Sequence, residues 1–378
     1  MNSIQDLLFK IIKSAIDGTA ISESILLSED EEKRIYALSK AHDMAHLVSY
    51  ALDKNNIRIT NEQVSKNFKK QQMLAVLRYE RQNYDFQQLC ALFNALEIRF
   101  IPLKGAVIRS MYPAPWMRTS CDIDILIDKS DISKARGALQ EKLGYSFDAA
   151  GDHDLSFITP SEVHFELHFS LLNYKNEDKC LQNVWKYAHP KKPDTFEYVL
   201  EDEVLYYYHI YHMAKHFING GCGVKPFLDL WMFKKNGLSV KKTGSDFLKN
   251  SNLYCFSKKS EQLSGIWFEE DTHTELSRKM EEYVLSGGVY GNALNKKSVG
   301  NKKLNLRYKV SRIWLPTWVM KIRYSNLQKH IWLLPFYQVK RWFGILSRAI
   351  RNKPWAEDID SNSEAESLAS YLKKSLEL

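Results

Sequence analysis

Two carboxylates in the middle of the chain are spaced to act together. Asp122 and Asp124 belong to the run Asp-Ile-Asp-Ile-Leu-Ile-Asp over 122–128, whose alternation predicts a strand, with Leu126 as its one departure. Positions two apart on a strand point to the same face, and adjacent carboxylates repel each other unless a cation compensates them. The pattern therefore indicates a metal platform on a buried strand. An exposed strand that carries solvated Asp side chains is the alternative.

Residues upstream of this pair suit phosphate binding. Lys104 and Gly105 lie between a predicted strand and a predicted helix, where a glycine lets the backbone approach a phosphate and a helix N-terminus favours anions. Arg118 adds a fork of donors for phosphate oxygens shortly before Asp122. Lys104, Gly105 and Arg118 are therefore predicted to bind phosphate groups.

A third carboxylate lies on a later predicted strand. Glu166 belongs to an apolar alternation over 163–169, with His164 and His168 on the same face. Two strands that carry this carboxylate and the Asp pair can hold two divalent ions. Two such ions lower the pKa of an attacking hydroxyl and neutralise a leaving pyrophosphate.

The elements that position these residues form an α+β pattern. Capping boxes at Ser28–Glu31 and Thr60–Gln63 predict two helix starts, the second opening a long helix to about Leu96. Strands are predicted at 98–103, 122–128, 155–159 and 163–169, and helices at 131–143 and 201–219. The predicted organisation is an N-terminal helical region (1–95), an α/β core with a small mixed sheet (96–172), a helical domain (173–290), a basic aromatic-rich helical segment (291–356) and an acidic tail (357–378).

Several of these motifs together resemble those of one bacterial family. Leu103–Val107, Tyr112-Pro113, Arg118, Asp122–Ile127 and Glu166–His168 are similar to motifs of the uncharacterised nucleotidyltransferase family, which belongs to the DNA polymerase beta-type superfamily. The stretches His212–His216, Phe227–Trp231 and 313–346 are similar to the helical half of that family. The resemblance covers about residues 30–350, and Arg-x-x-x-Asp-Ile-Asp is its most specific part.

The resemblance implies a nucleotidyltransferase core with a small mixed sheet, flanked by N-terminal and C-terminal helical regions. It implies transfer of a nucleoside monophosphate from an NTP such as ATP to a hydroxyl acceptor, with Mg²⁺ or Mn²⁺ bound by Asp122, Asp124 and Glu166. Glu166 is also implied to help deprotonate the acceptor. The superfamily has Gly-Ser or Gly-Gly where this chain has Lys104-Gly105-Ala106, so Lys104 is expected to supply charge in place of the missing hydroxyl. Genes of such proteins often accompany surface-polysaccharide or natural-product genes, and the acceptor is a small molecule, a sugar or a protein.

Two further functions stay open for a chain with these motifs. A catalytically silent scaffold or binding protein can keep the same fold, and an antitoxin-like enzyme of this fold can nucleotidylate a partner protein. The complete set of Asp122, Asp124 and Glu166 favours activity over a scaffold. A chain of 378 residues with helical flanks is larger than the minimal antitoxin-type domain.

Three histidines share one face of a predicted helix. His209, His212 and His216 follow one another at spacings of three and four. A His pair four residues apart can ligate zinc. Alternatively, His212, Lys215 and His216, together with His168, can line a wall that binds substrate or phosphate. Packed histidines without a ligand are the third interpretation.

Positive charge is concentrated near the C-terminus. Residues 296–353 contain 15 Lys and Arg and no Asp or Glu, whereas the rest of the chain carries 38 basic and 45 acidic residues. This segment interleaves its cations with Trp314, Trp318, Trp332, Phe336, Trp342 and Phe343. Such a mixture suits an anionic membrane surface more than single-stranded nucleic acid. The third interpretation is that the Trp side chains pack onto the fold and the cations face water.

The cysteines and the N-terminal residues favour a cytoplasmic protein, and the basic segment predicts a peripheral position at the inner membrane surface as one alternative. The five cysteines are dispersed without a Cys-x-x-Cys pair, which fits reduced thiols. The N-terminal residues lack the pattern of a signal peptide. No stretch approaches the roughly 20 apolar residues of a membrane span.

Overall fold

Helices flank one small mixed sheet in this chain, which confirms the predicted α+β class. The computed structural model describes residues 4–21, 25–151, 153–172, 178–241, 245–269, 271–289, 291, 314–351 apart from 316, 318, 319, 322, 323 and 325, and 363–378. Among the helices of these ranges, none combines the length and the apolar character needed to cross a membrane. The division of the chain at residues 95, 172, 290 and 356 stays a prediction.

Four helices precede the sheet: α1 (Ile4–Asp17), α2 (Glu29–Ala41), α3 (Ala45–Lys54) and α4 (Glu62–Ala95). Ser28 caps α2 through the predicted capping box. The second predicted capping box is wrong, because Asn61 rather than Thr60 caps α4 with its side chain. Thr60 instead donates its backbone N–H and its hydroxyl to the buried Glu32 carboxylate of α2. The local cap therefore lies one residue later than predicted, and Thr60 makes a tertiary contact.

Five strands form the sheet: β1 (Phe100–Pro102), β2 (Asp122–Ile127), β3 (Ser146–Ala150), β4 (Asp154–Ile158) and β5 (His164–His168). Their order is β1-β2-β5-β4-β3, with β2 and β5 parallel and the other neighbouring pairs antiparallel. The one-turn helix α5 (Gly105–Ile108) follows β1, and helix α6 (Ile132–Lys142) follows β2. Strand β3, at the sheet edge, adds to the predicted set.

The two faces of the sheet have different neighbours. Ile123 and Phe165 lie on one face and join a core that includes residues of α4 and α6. Asp122 and Asp124 lie on the opposite face, and so does Leu126, which joins a larger core of helices. Leu126 departs from the alternation for this reason. The carboxylate face is polar where β2 begins and is covered by helices where β2 ends.

The remaining elements follow the sheet in the chain. They are α7 (Lys179–Gln182), β6 (Ala188–Pro190), β7 (Tyr198–Leu200), α8 (Asp202–Ile218), α9 (Lys225–Lys235), α10 (Ser245–Asn250), α11 (Tyr254–Phe268), α12 (Glu275–Gly287), α13 (Asn326–Lys329), α14 (Leu334–Arg351) and α15 (Ser363–Ser375). Strands β6 and β7 form a separate hairpin that the sequence did not predict. Helix α8 confirms the helix predicted at 201–219. Residues 287–301 form a polar, glycine-rich stretch that suggests a loop, and most of them lie outside the described residues. One cluster of core residues includes helices that precede the sheet in the chain, α1 and α3, and helices that follow it, α8, α9, α11 and α12. The two groups of helices therefore share one core.

Candidate active site

Strands β2 and β5 bring the three predicted carboxylates together. Because these strands are parallel and in register, Asp124 pairs with Glu166 and Asp122 pairs with His164. Register partners point to the same face of a sheet. The two Asp side chains and Glu166 therefore share one face, next to each other on adjacent strands.

Asp124 is the centre of this polar cluster. It is buried, and its Oδ1 accepts hydrogen bonds from Lys104 Nζ at 3.0 Å and from His168 Nε2 at 2.8 Å. The same His168 nitrogen lies 3.3 Å from Glu166 Oε2. His168, which was predicted both on the strand face of Glu166 and in a substrate wall, therefore lies among the carboxylates.

These contacts distribute charge unequally between the two Asp residues. Burial alone would raise the pKa of Asp124, but the Lys104 ammonium and the His168 ring hold that pKa well below its usual range. The pKa of Asp122 is raised to about 6 by burial and by the negative charge of Asp124. Burial alone would lower the pKa of His168, but its hydrogen bonds to Asp124 and Glu166 raise that pKa to about 9. Asp122 is thus the less compensated of the two Asp carboxylates.

The donor atoms of the cluster suit a divalent cation. Asp124, Glu166 and His168 each offer one atom, and these atoms lie within 4.8 Å of one another, a separation that one ion can bridge. Asp122 is on the same sheet face but outside this group of three. Carboxylate oxygens are the ligands that Mg²⁺ and Mn²⁺ prefer, and imidazole also binds divalent transition metals. The residues therefore fit the metal that the resemblance implies, and His168 is an added donor once its ring has lost a proton.

Lys104 reaches Asp124 from an uncommon backbone conformation. Its φ of 43° lies in the left-handed region, which residues with a side chain rarely adopt. Strain of this kind costs about 1–3 kcal/mol and is concentrated at functional sites. Burial alone would lower the pKa of Lys104, but the Asp124 charge raises it above the usual value, so the ammonium stays charged.

Gly105 has a packing reason as well as the predicted phosphate role. A Cβ at this position would lie 2.9 Å from Arg118 Nη1 and 3.0 Å from Ser120 Cβ. Helix α5, which begins at Gly105, is a single turn, so the helix dipole expected to favour anions here is small. The glycine is therefore required for close approach of the loop that leads into β2.

Arg118 is held by a buried carboxylate. Its Nε lies 3.2 Å from Asp229 Oδ1 and its Nη2 lies 2.8 Å from Asp229 Oδ2, while the Tyr112 hydroxyl donates to Oδ1 at 2.7 Å. Burial alone would raise the pKa of Asp229, but the Arg118 charge lowers it. The guanidinium fork that was predicted to bind phosphate thus contacts Asp229 of α9. Arg118 still borders the cavity over the carboxylates.

A cavity of about 370 Å³ opens over the carboxylate face. Its sheet side is lined by Lys104, Gly105, Arg118, Asp122, Asp124 and Glu166, and its helix side by Leu205, Tyr208, His209, His212, Met213, His216, Lys225, Pro226 and Asp229. The structure thus brings most of the predicted site residues to one space. Polar and apolar side chains line it together, which is typical of a site for an organic ligand.

The predicted histidine wall is only partly at this cavity. His212 and His216 border it, with their Nε2 atoms 3.2 Å apart. Lys215 is exposed, and neither Lys215 nor His168 is among the described residues that line the cavity. Within the described ranges, the group of three metal-compatible residues is the one at Asp124, so the zinc interpretation gains no third ligand for the His212–His216 pair.

Three residues outside the predicted site form a second ion-pair network at the cavity. Lys225 Nζ lies 2.6 Å from Asp43 Oδ2 and donates to the Thr119 carbonyl at 3.0 Å. The Thr119 hydroxyl donates to the same Asp43 oxygen at 2.6 Å. Burial alone would raise the pKa of Asp43, but these contacts lower it to about 2. The residues lie far apart in sequence, so no local motif marks them.

Nucleotidyl transfer requires clustered carboxylates next to a cavity that can hold a nucleotide. This chain carries such carboxylates on its small sheet, beneath a cavity that polar and apolar side chains line together. A family model described as an uncharacterised nucleotidyltransferase matches residues 28–241, more than half of the chain. The chain therefore belongs to this uncharacterised nucleotidyltransferase family, as its motifs predict. Comparison with curated proteins and comparison with solved structures each found no significant match. The matched range contains the sheet, the carboxylate cluster, α8 and α9, and it supports transferase activity in general.

Proposed function

We propose that this protein transfers a nucleoside monophosphate from an NTP to a hydroxyl acceptor. The observation that carries the proposal is the register of β2 and β5, which sets Asp124 beside Glu166, with Asp122 on the same face, at the edge of a cavity. Family membership supports the same general chemistry. In the proposed step, the acceptor oxygen forms a bond to the α-phosphorus, the bond from that phosphorus to the bridging oxygen breaks, and pyrophosphate leaves.

The carboxylates would have different roles in this step. Asp122, Asp124 and Glu166, joined by His168, would hold Mg²⁺ or Mn²⁺, which when bound stabilises negative charge on the phosphates. Glu166 is the candidate base for the acceptor proton, because its side chain is 25% exposed and borders the cavity. Buried Asp124 is less accessible to an acceptor.

The cavity walls suit a nucleotide. Lys104, Arg118 and Lys225 bring three cations to its border, which favours a triphosphate even though each of them also has a carboxylate partner. Leu205, Tyr208, Met213 and Pro226 offer apolar surface on the helix side, where a base or a sugar ring can pack. Gly105 borders the cavity beside these cations, where its backbone would contact a phosphate.

The motif resemblance sets the context that we propose for the reaction. The acceptor is a hydroxyl of a small molecule, a sugar or a protein, in bacterial surface-polysaccharide or natural-product biosynthesis in the cytoplasm. A protein acceptor corresponds to the antitoxin-like function.

One observation favours a second candidate, a catalytically silent binding protein of the same fold. The Lys104 ammonium already lies 3.0 Å from Asp124, and a carboxylate that is neutralised within the chain has less need of a metal ion. Under this alternative, the cavity would bind a nucleotide without turnover.

Labelled nucleotides distinguish the two candidates. The full chain is incubated with Mg²⁺ or Mn²⁺ and, in turn, ATP, GTP, CTP or UTP labelled on the α-phosphate, together with small-molecule and protein fractions of a bacterial extract. Nucleotidyl transfer predicts metal-dependent movement of label into an acceptor, with one pyrophosphate released for each label moved. Nucleotide binding without any pyrophosphate would instead identify the silent protein.

A further inference from the structure

The basic aromatic-rich segment presents an exposed apolar face. Trp332, Phe336 and Phe343 are 74%, 63% and 67% exposed, and Ile331 and Val339 are exposed as well. Positions 332, 336, 339 and 343 recur at helical spacing, which places them on one face of α14 and the turn before it. Exposed apolar patches of this kind mark sites that bind a membrane, another protein or a ligand.

The opposite face of the same segment is already packed. Gln338 is fully buried, and its amide donates to the Leu315 carbonyl at 2.7 Å and accepts from the Leu315 N–H at 3.3 Å. Leu315, Met320 and Leu327 form a small core with neighbouring side chains. The exposed aromatic face is therefore not the side on which this segment packs against itself.

The exposure of the Trp side chains bears on the interpretations of this segment that the sequence left open. Trp314 is 48% exposed, Trp332 is 74% exposed and Trp342 is 36% exposed, so these three side chains are not buried against the fold. Trp318 lies outside the described residues. The packing interpretation therefore does not hold for Trp332, whereas Trp314 and Trp342 are partly covered.

Positive charge accompanies the apolar face. Lys329 and Lys340 are exposed next to it, and they belong to the range 296–353, which holds 15 Lys and Arg and no acidic residue. The rest of the chain is net acidic. The molecule therefore combines an apolar face and a local positive field in one segment.

We propose that this face docks on an anionic lipid bilayer, with its aromatic side chains in the headgroup region and its cations on the lipid phosphates. A second copy of the chain that docked through the same face would bring two cationic segments together, which is repulsive. Single-stranded nucleic acid would stack on aromatic rings, but the aliphatic Ile331 and Val339 offer it no such surface.

Vesicle co-sedimentation of the full chain tests the proposal. We expect binding to vesicles of equal parts phosphatidylcholine and phosphatidylglycerol at low salt, weaker binding at high salt, and little binding to phosphatidylcholine alone. The double variant Trp332→Ser/Phe336→Ser should lose at least about tenfold in affinity. The matched control Met73→Ser/Leu77→Ser, at two exposed apolar positions of α4, should bind as the unmodified chain does.

Tryptophan fluorescence of the unmodified chain gives a second readout that does not depend on a variant. A blue shift on mixing with the anionic vesicles indicates that indole rings enter the headgroup region. No binding at low salt, equal binding to neutral vesicles, or equal losses in both double variants would overturn the proposal. If the chain captures a single-stranded oligonucleotide that excludes the vesicles, the face binds nucleic acid and the proposal fails. If the chain self-associates through this face without vesicles, its occupant is a second copy and the proposal fails as well.

Discussion

Arg118 and Asp229 form a buried, two-pronged ion pair that ties the loop before β2 to helix α9. The Nη2–Oδ2 distance is 2.8 Å, the Nε–Oδ1 distance is 3.2 Å, and Asp229 is fully buried. The loop that this pair holds leads directly to Asp122. The pair therefore fixes the position of the first carboxylate relative to the helical wall of the cavity.

Breaking this pair should destabilise the fold. Asp229→Asn leaves the Arg118 guanidinium buried without a counter-charge, and losses of about 3–5 kcal/mol in the free energy of unfolding follow from such a change. Urea unfolding measures the loss. The control Asp30→Asn removes an exposed helix-surface ion pair, whose N–O distance is 4.0 Å, and should cost no more than about 0.5 kcal/mol. Equal unfolding midpoints for the two variants would contradict the role given to the pair.

Gly105 and Gly137 should respond in opposite directions to the same substitution. Gly105→Ala places a Cβ 2.9 Å from Arg118 Nη1, and overpacking of this kind costs about 1–3 kcal/mol. Gly137, inside α6, has no neighbouring atom within 4 Å of an added Cβ, so Gly137→Ala should stabilise by about 0.5–1 kcal/mol through helix propensity. Thermal and urea unfolding of both variants checks the signs, and a stabilising Gly105→Ala would show that the 118–120 loop moves away freely.

His46 should make the fold less stable in mild acid. Its Nε2 lies 2.9 Å from the Met117 carbonyl, and burial lowers its pKa from 6.5 to about 4. Between these values the unfolded chain binds a proton that the folded chain does not, so stability is lost as the pH falls from 6.5 towards 4. Each pH unit in that window costs up to about 1.4 kcal/mol.

The variant His46→Gln isolates this contribution, because Gln keeps a donor for the Met117 carbonyl and does not titrate. The free energy of unfolding is measured at several pH values for both chains. We expect a smaller slope between pH 6.5 and 4 in the variant. Parallel curves would assign the acid sensitivity to other groups.

Lys104 should compete with a metal ion for Asp124. Lys104→Met removes the ammonium that lies 3.0 Å from Oδ1, which leaves the carboxylate cluster more negative. We expect Mn²⁺ to bind about tenfold more tightly, which corresponds to about 1.4 kcal/mol, while NTP turnover falls through loss of a phosphate contact. Mn²⁺ titration by electron paramagnetic resonance measures the first effect. Unchanged or weaker Mn²⁺ binding would mean that Lys104 supports the metal site and does not compete with it.

Local patterns predicted the parts of the site that one strand or one helix end determines. The alternation over 122–128 predicted β2, because a strand records its two faces in the sequence with a period of two. Ser28 likewise marked the start of α2. Leu126 departs from the alternation because helices cover its face where β2 ends, so this face is polar only where β2 begins.

Contacts between segments that are far apart in the chain leave no local pattern in the sequence. Arg118 and Asp229 are 111 positions apart, and Lys225 and Asp43 are 182 positions apart. The alternation over 163–169 likewise predicted the face on which His168 lies. It did not predict the contact with Asp124, because that contact depends on how β5 pairs with β2. Strand pairing and helix packing decide these contacts, and a single sequence does not record either of them.

The most direct test of the central claim is metal-dependent NTP turnover in carboxylate variants. Asp122→Asn, Asp124→Asn and, as the control, Asp148→Asn on the exposed edge strand β3 are each assayed for pyrophosphate release from the NTP that the unmodified chain uses. We expect the first two variants to lose at least about 100-fold in rate while remaining folded, because the charge that holds the cation and stabilises the phosphates is reduced. Asp148→Asn should be unaffected. Full Mg²⁺-dependent turnover in both Asp122→Asn and Asp124→Asn would contradict a catalytic centre on this sheet face.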